Sequence, residues 1–317
     1  MGKHGWESAN TIVQIVIKDL PFLVDSVRMA LNRLNIASHL LLHTPIKVNR
    51  DDKGMATEIL PLKDDVKSSH QQTVFLIEVD RQSGSKQLKA LASELESVLT
   101  DVTLAVEDWK PIQAKLTECI SEAKKAKVKN KDNQANSLEF LNWIADHNFT
   151  LMGYREYSVS AVEGDTVIKG KDDTSLGLMK NRPSKERFLS VLSDVARTEA
   201  LSDKLLVLTK TGSKSRVHRP AYMDYIGIKK FDKNGKVIGE HRFIGLYAAS
   251  FYNSSVRDIP LLNTKINRIM ENSTFADGSH AYKALLNVLE TYPRDELIQA
   301  SDENLNEVAM GVLQMQE

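Results

Sequence analysis

The chain has 317 residues, of which 42% are hydrophobic and 26% charged, with 42 Lys+Arg balanced by 42 Asp+Glu. That length suits two domains, and the composition is that of ordinary globular protein. Zero net charge speaks against a nucleic-acid or anionic-membrane partner, which would call for a basic excess. No stretch approaches the ~18 apolar residues of a membrane span, and the opening Met1-Gly-Lys-His-Gly-Trp6 has no apolar core of the kind a secretory signal needs.

In chain order, the first element is a strand: Ile12, Val13, Ile15, Val16 and Ile17 place apolar side chains on at least one face. Asp19-Leu20-Pro21 ends it; Asp19 is placed to cap the next helix and Pro21 suits a first turn. The helix carries Val24, Val27, Leu31 and Leu34 at spacings of three and four. A second strand spans 39–49, followed by the turn Asp51-Asp52-Lys53-Gly54. A third spans 73–80, and a helix over 85–99 sets Leu88, Leu91, Leu95 and Leu99 on one face. Residues 102–106 read as a fourth strand, which completes a ferredoxin-like β-α-β-β-α-β unit. A helix from 108 to 130 follows, and the polar run 129–136 reads as a linker; the basic run Lys124 to Lys131 could bind phosphate but reads rather as a solvated helix end.

The second half opens with a helix at Ser137. Strands are expected at 149–159, 165–169, 204–210, 216–232 and 236–252, with one helix at 184–196 among them. Asn234-Gly235 is a hairpin signal joining the last two strands. An antiparallel sheet with helices to one side describes a PAS-like or GAF-like module. Residues 258–317 read as helical, through Leu261, Ile266, Ile269, Leu285, Leu289 and Leu305. The resulting fold class is α+β: an ACT-like domain over 1–110, a helix and linker over 111–136, a PAS-like domain over 137–255 and a helical motif over 256–317.

Chemical motifs are scarce. There is no Gly-x-Gly-x-x-Gly, no Walker loop, no His-Glu-x-x-His and no Gly-x-Ser-x-Gly. No catalytic residue and no metal site is therefore expected in this chain. His39 and His43, four apart on a strand, sit about 13 Å from each other and cannot share a metal. Cys119, the single cysteine, lies in an apolar helical setting with no activating base, so it reads as structural and the compartment as the reducing cytoplasm.

Two places remain as candidate sites. The loop Asp19-Leu20-Pro21-Phe22 precedes a helix N-terminus, whose free N–H groups suit an amino-acid carboxylate; the alternative is that Asp19 only caps the helix. Arg216, His218 and Arg219 could receive a carboxylate or phosphate, but the pattern favours an exposed strand edge or an interdomain salt-bridge network. A small hydrolase or transferase using Arg216, His218 and Asp224 would require these three in one deep cleft.

Blocks along most of the chain carry a family resemblance. They are Ile15-Val-Ile-Lys-Asp19-Leu-Pro-Phe-Leu-Val-Asp25-Ser26 with 40–50, then Phe149-Thr-Leu-Met-Gly153-Tyr-Arg-Glu-Tyr157. Further on come Ser215-Arg-Val-His-Arg-Pro220-Ala-Tyr-Met-Asp-Tyr225, Arg242-Phe-Ile-Gly-Leu-Tyr247 and Leu289-Glu-Thr-Tyr-Pro-Arg294-Asp-Glu-Leu297. Together they resemble the N-terminal region of the large bacterial NAD-dependent glutamate dehydrogenases. The resemblance implies ACT-like and PAS-like modules ahead of a catalytic domain far beyond Glu317. It also implies an enzyme that is a homotetramer and oxidises L-glutamate to 2-oxoglutarate and ammonia with NAD. NAD would then be a cofactor of the full-length enzyme and not of this segment, whose partners are the rest of its own polypeptide and neighbouring subunits. ACT domains carry Asp-x-Pro-Gly in the first loop; here Phe22 stands in the glycine's place, where its ring would fill the ligand's space. The rival reading is a stand-alone amino-acid-sensing module that regulates another protein.

Overall fold

A computed structural model describes residues 7–63, 70–162, 165–191 and 193–316. The chain divides into two compact units: residues 1–106 with 214–221, and residues 107–213 with 222–317.

The first unit contains β1 (Thr11–Lys18), α1 (Leu23–Arg33), β2 (Ser38–Arg50), β3 (Ala56–Leu60), β4 (His70–Val79) and α2 (Ser85–Glu107). Its sheet runs β1-β4-β2-β3, with neighbouring strands antiparallel. On β4, Thr73, Phe75, Ile77 and Val79 are buried while the alternate residues are half-exposed, the period-two pattern of a sheet with one covered face. Val27, Ala30 and Leu31 of α1 and Leu91, Leu95, Val98 and Val102 of α2 supply the apolar stripes.

The expected fourth strand at 102–106 is instead the last turn and a half of α2. Its buried residues, Leu91, Leu95, Val98, Val102 and Ala105, step by four, three, four and three, so a single helical stripe continues across the supposed break. The valines and threonines there suggest strand locally, yet packing of a continuous apolar face outweighs a few tenths of a kcal/mol of propensity per residue. The unit is therefore not a complete β-α-β-β-α-β. Among the described residues, no strand pairs with the outer edge of β1. The β2–β3 hairpin, absent from the sequence reading, turns at Asp51–Gly54, where the Asp51 carboxylate accepts from Lys53 N and Met55 N.

The second unit begins with α3 (Trp109–Lys125) and α4 (Lys131–Trp143). The expected linker is the first half of α4. Asn130 caps it by accepting from Asn133 N at 2.9 Å, and the buried Gln134 amide donates to the carbonyls of Ala123 and Ala126, closing the end of α3. Polar residues here serve helix ends, which is why they looked like a linker.

The remaining elements are β5 (Phe149–Val162), β6 (Asp165–Gly170), β7 (Leu176–Gly177), β8 (Arg187–Phe188), α5 (Asp194–Leu201), β9 (Leu206–Lys214), β10 (Tyr222–Phe231) and β11 (Val237–Tyr247). They are followed by α6 (Ala249–Asn253), α7 (Leu262–Asn272), α8 (His280–Thr291), α9 (Arg294–Gln299) and α10 (Asp302–Gln316). The sheet order is β8-β6-β5-β11-β10-β9, with β7 on β5. The Asn234-Gly235 hairpin forms as expected, with Gly235 at φ +80°. The strand expected from 216 starts only at Tyr222, and the helix expected over 184–196 is replaced by β8, a short 3-10 turn and α5.

One core unites the inner face of this sheet with the helices. Ile112, Leu116 and Cys119 of α3, Phe140 and Leu141 of α4, Tyr154, Ile226, Ile228 and Phe243 of the strands, and Leu262, Ile266, Leu285 and Leu289 of the C-terminal helices all belong to it. Lys265 of α7 donates to the carbonyls of Leu297, Ile298 and Ala300, capping the end of α9 from the side.

Candidate functional site

Asp19 does not cap α1. Its carboxylate accepts from Thr73 Oγ1 and, at 2.8 Å, from Gln71 Nε2, both on β4, so it pins the β1 exit to the sheet. The N-cap position is Phe22, at φ +70° and ψ 0°, with no side-chain cap. Phe22 thus keeps the left-handed backbone that glycine adopts freely, at a cost of about 1–2 kcal/mol for an L-residue. Its half-buried ring lies 4.8 Å, centroid to centroid, from the imidazole of His218.

That contact joins the two candidate sites, although they lie almost two hundred residues apart in sequence. Residues 214–221 fold with the first unit. His218, itself at φ +72°, donates its backbone N–H to the buried Ser26 Oγ of α1 at 3.3 Å. Arg216 spans three groups on α2: Glu94 at 3.2 Å, Asp101 at 3.2 Å and the Ser97 hydroxyl at 3.0 Å. With Arg33 on the other Glu94 oxygen at 2.7 Å, these contacts form a network tying α1, α2 and the inserted loop. Arg216 is therefore committed to carboxylates of its own unit. Burial pushes the His218 pKa down, the neighbouring Arg219 adds to that, and Asp25 opposes it. Arg219 is half-buried, and its N–H donates to Val217 O at 3.0 Å.

Asp224, the third member of the hydrolase constellation, belongs to the other unit. There it pairs with Lys210 at 2.6 Å and accepts from Tyr247 N at 3.3 Å. No cleft of one unit gathers Arg216, His218 and Asp224.

The second unit holds polar groups that sequence reasoning passed over. On the helix-covered face of the sheet, His241 Nδ1 meets Tyr154 Oη at 2.8 Å and its Nε2 meets Glu122 at 3.0 Å. This has the outline of a carboxylate–imidazole–hydroxyl relay. Burial, however, drives the Tyr154 and Cys119 pKa values far up, so neither offers an anionic nucleophile near neutral pH. On the opposite face, Arg155 and Arg242 stand directly across from each other on β5 and β11. Arg155 donates to Ser175 Oγ and to the carbonyls of Met179 and Arg182, while the Arg242 guanidinium stacks 3.7 Å from the Tyr157 ring centroid. The Arg-x-Tyr spacing at 155–157 was available as a signal, but only strand register brings Arg242 beside it. Among the described residues, no group of three His, Cys, Asp or Glu side chains could hold a metal ion, and no helix is long and apolar enough to cross a membrane.

Residues 1–95 match the family described as glutamate dehydrogenase, ACT1 domain, and residues 259–317 the family described as glutamate dehydrogenase, helical motif 1. Both models describe parts of glutamate dehydrogenases, one matching the first 95 residues and the other the last 59. Three relatives are similar to nearly the whole of this chain, all of them NAD-specific glutamate dehydrogenases. That of Pseudomonas aeruginosa is 39% identical over 99% of this chain and 20% of its own length; that of Halomonas elongata is 34% identical over 99% and 20%. That of Mycobacterium tuberculosis is 28% identical over 96% and 18%. The chain matches the N-terminal region of the NAD-specific glutamate dehydrogenases and spans about a fifth of the length of these relatives.

Proposed function

We propose that this chain is a non-catalytic regulatory and assembly segment of an NAD-dependent glutamate dehydrogenase. The full enzyme would convert L-glutamate, NAD and water to 2-oxoglutarate, ammonia and NADH in the cytoplasm. The observation that carries this reading is the near-complete coverage of the chain against a fifth of each relative, with an ACT-type match at one end and a helical-motif match at the other. Catalytic residues and the NAD site then lie in parts of the enzyme outside this chain. The absence of any Gly-x-Gly-x-x-Gly in the sequence agrees with that. The second unit, an antiparallel sheet with helices on one face, acts in this reading as the PAS-like module.

The assembly role places a second copy against the first unit within a homotetramer. Support comes from the open edge of β1 and from Val16, Leu40 and Leu42, which are 58%, 42% and 52% exposed on the outward face of its sheet. The alternative, a stand-alone amino-acid sensor acting on another protein, draws support only from the ACT-type fold, since Phe22 and His218 occupy the first loop.

Calorimetric titration of this chain with NAD, together with a glutamate oxidation assay, tests the non-catalytic role. No heat of binding and no turnover are expected, and a micromolar dissociation constant for NAD contradicts the reading. Sedimentation at high concentration tests assembly: association is expected, and a strict monomer counts against it.

A further inference from the structure

The cross-strand pair Arg155–Arg242 sets two like charges opposite each other in a largely dry place, an arrangement that is destabilising unless each charge is compensated. Arg155, 2% exposed, is fully engaged by the Ser175 hydroxyl at 2.7 Å, the carbonyls of Met179 and Arg182, and Asp172 at 3.3 Å. Arg242 is not. Its side chain is 18% exposed and its closest carboxylate, Glu240, stands at 3.5 Å, well beyond the ~2.7–2.9 Å of a charge-assisted hydrogen bond. Its Nε is buried with no hydrogen-bond partner among the described residues. Tyr157 and Tyr225, at 3.7 and 4.7 Å, fix the plane of the guanidinium. Glu240 is shared with the Tyr225 hydroxyl, and burial raises its pKa, which weakens it further as a counter-ion.

In front of Arg242 lies a cavity of about 220 Å³. Arg182, Lys185 and Arg187 line it and, among the described residues, no carboxylate does. Among the described residues, none of these three has an acidic side chain within ion-pair distance, and the neighbouring Glu186 is turned to Lys169 at 2.7 Å. The segment carrying Arg182 to Lys185 is held by built contacts: Ser184 Oγ accepts from Gly170 N at 2.9 Å and Ser184 N donates to Asp172 at 3.0 Å. The cavity therefore combines a planar cation held by two tyrosine rings, a rim of cationic side chains, and a volume below the ~300 Å³ lower bound for drug-sized ligands.

We propose that this cavity binds a small oxyanion, a carboxylate or a phosphate group, with Arg242 as the anchor and Arg182, Lys185 and Arg187 as the rim. The anion supplies the missing partner of Arg242 and offsets the repulsion across β5 and β11. The site lies within the second unit and does not depend on what the parent enzyme catalyses.

The test uses the full 317-residue chain, with inorganic phosphate in one arm and malonate in the other, each at constant ionic strength set with sodium chloride. Thermal melting is expected to show a saturable rise of several degrees with at least one of them. Whichever gives the lower half-saturation concentration identifies the source chemistry. Arg242→Gln should abolish the response; as this side chain is largely buried, its fold is checked by circular dichroism. The exposed rim variant Arg187→Gln is expected to fold normally and to raise the half-saturation concentration about tenfold. Absence of a saturable rise with both anions overturns the proposal, as does an unchanged response in Arg187→Gln.

Discussion

At the scale of single residues, Phe22 and His218 define the first loop. Each occupies a positive φ that an L-side chain adopts at a cost, and each presents its ring to the other. Ring contact offsets two strained backbones, so the space that a glycine would leave open is filled from both sides. The Asp-x-Pro context and the substitution of Phe for Gly were legible in the sequence. The partner ring was not, because nothing local marks a contact between residues 22 and 218. His218 also gives the site a pH signature. Its folded pKa is pushed below the unfolded value of about 6.5, so the unfolded chain binds the proton more readily. Stability from this group is fully present above about pH 6.5 and is lost as pH falls toward the folded pKa. His241 shifts in the same direction, also through burial. Melting temperature should therefore fall between pH 7 and pH 5.5. His218→Asn, which tolerates the left-handed backbone, should flatten part of that slope and leave the His241 part. An identical slope in the variant would remove His218 from the account.

Among the elements, α2 separates what periodicity reveals from what propensity suggests. A β-branched stretch at 102–106 looks like a strand in isolation, but Val98, Val102 and Ala105 extend the stripe of Leu91 and Leu95. Thr103 even donates its hydroxyl back to Leu99 O at 2.8 Å, a bond made only in a helix. Thr103→Pro would remove a helical donor and drive the ring into the Leu99 carbonyl. A loss of about 3 kcal/mol or more in urea unfolding, with reduced helical ellipticity, is expected. A loss well under 1 kcal/mol would favour an edge strand there. The same lesson holds at α4, where Asn130 and Gln134 are polar because they satisfy helix ends, and at Tyr222, where β10 starts six residues after the sequence pattern does. By contrast, the β10–β11 hairpin, β5 and the C-terminal helices were legible because each carries its own local signal: an Asn-Gly turn, a long apolar run or an amphipathic period.

For the whole molecule, the α+β class and the glutamate dehydrogenase relationship could be read from ordered blocks of residues, whereas the excursion of residues 214–221 into the first unit could not. An excursion of that kind has no periodicity of its own. Its Arg216 network and the Phe22–His218 pair exist only once the chain has folded back on itself. That excursion also underlies the proposed architectural role of the first unit, because His218 packs its ring against Phe22 in the first loop. The most direct measurement is thermal melting of the wild-type chain against each of the twenty amino acids at millimolar concentration. Ligand at a hundred times its dissociation constant adds about 2.7 kcal/mol, a readily detected shift. No shift attributable to this loop is expected. A saturable shift with any amino acid, abolished by Asp19→Ala, would contradict it and restore a sensor at Asp19–Phe22.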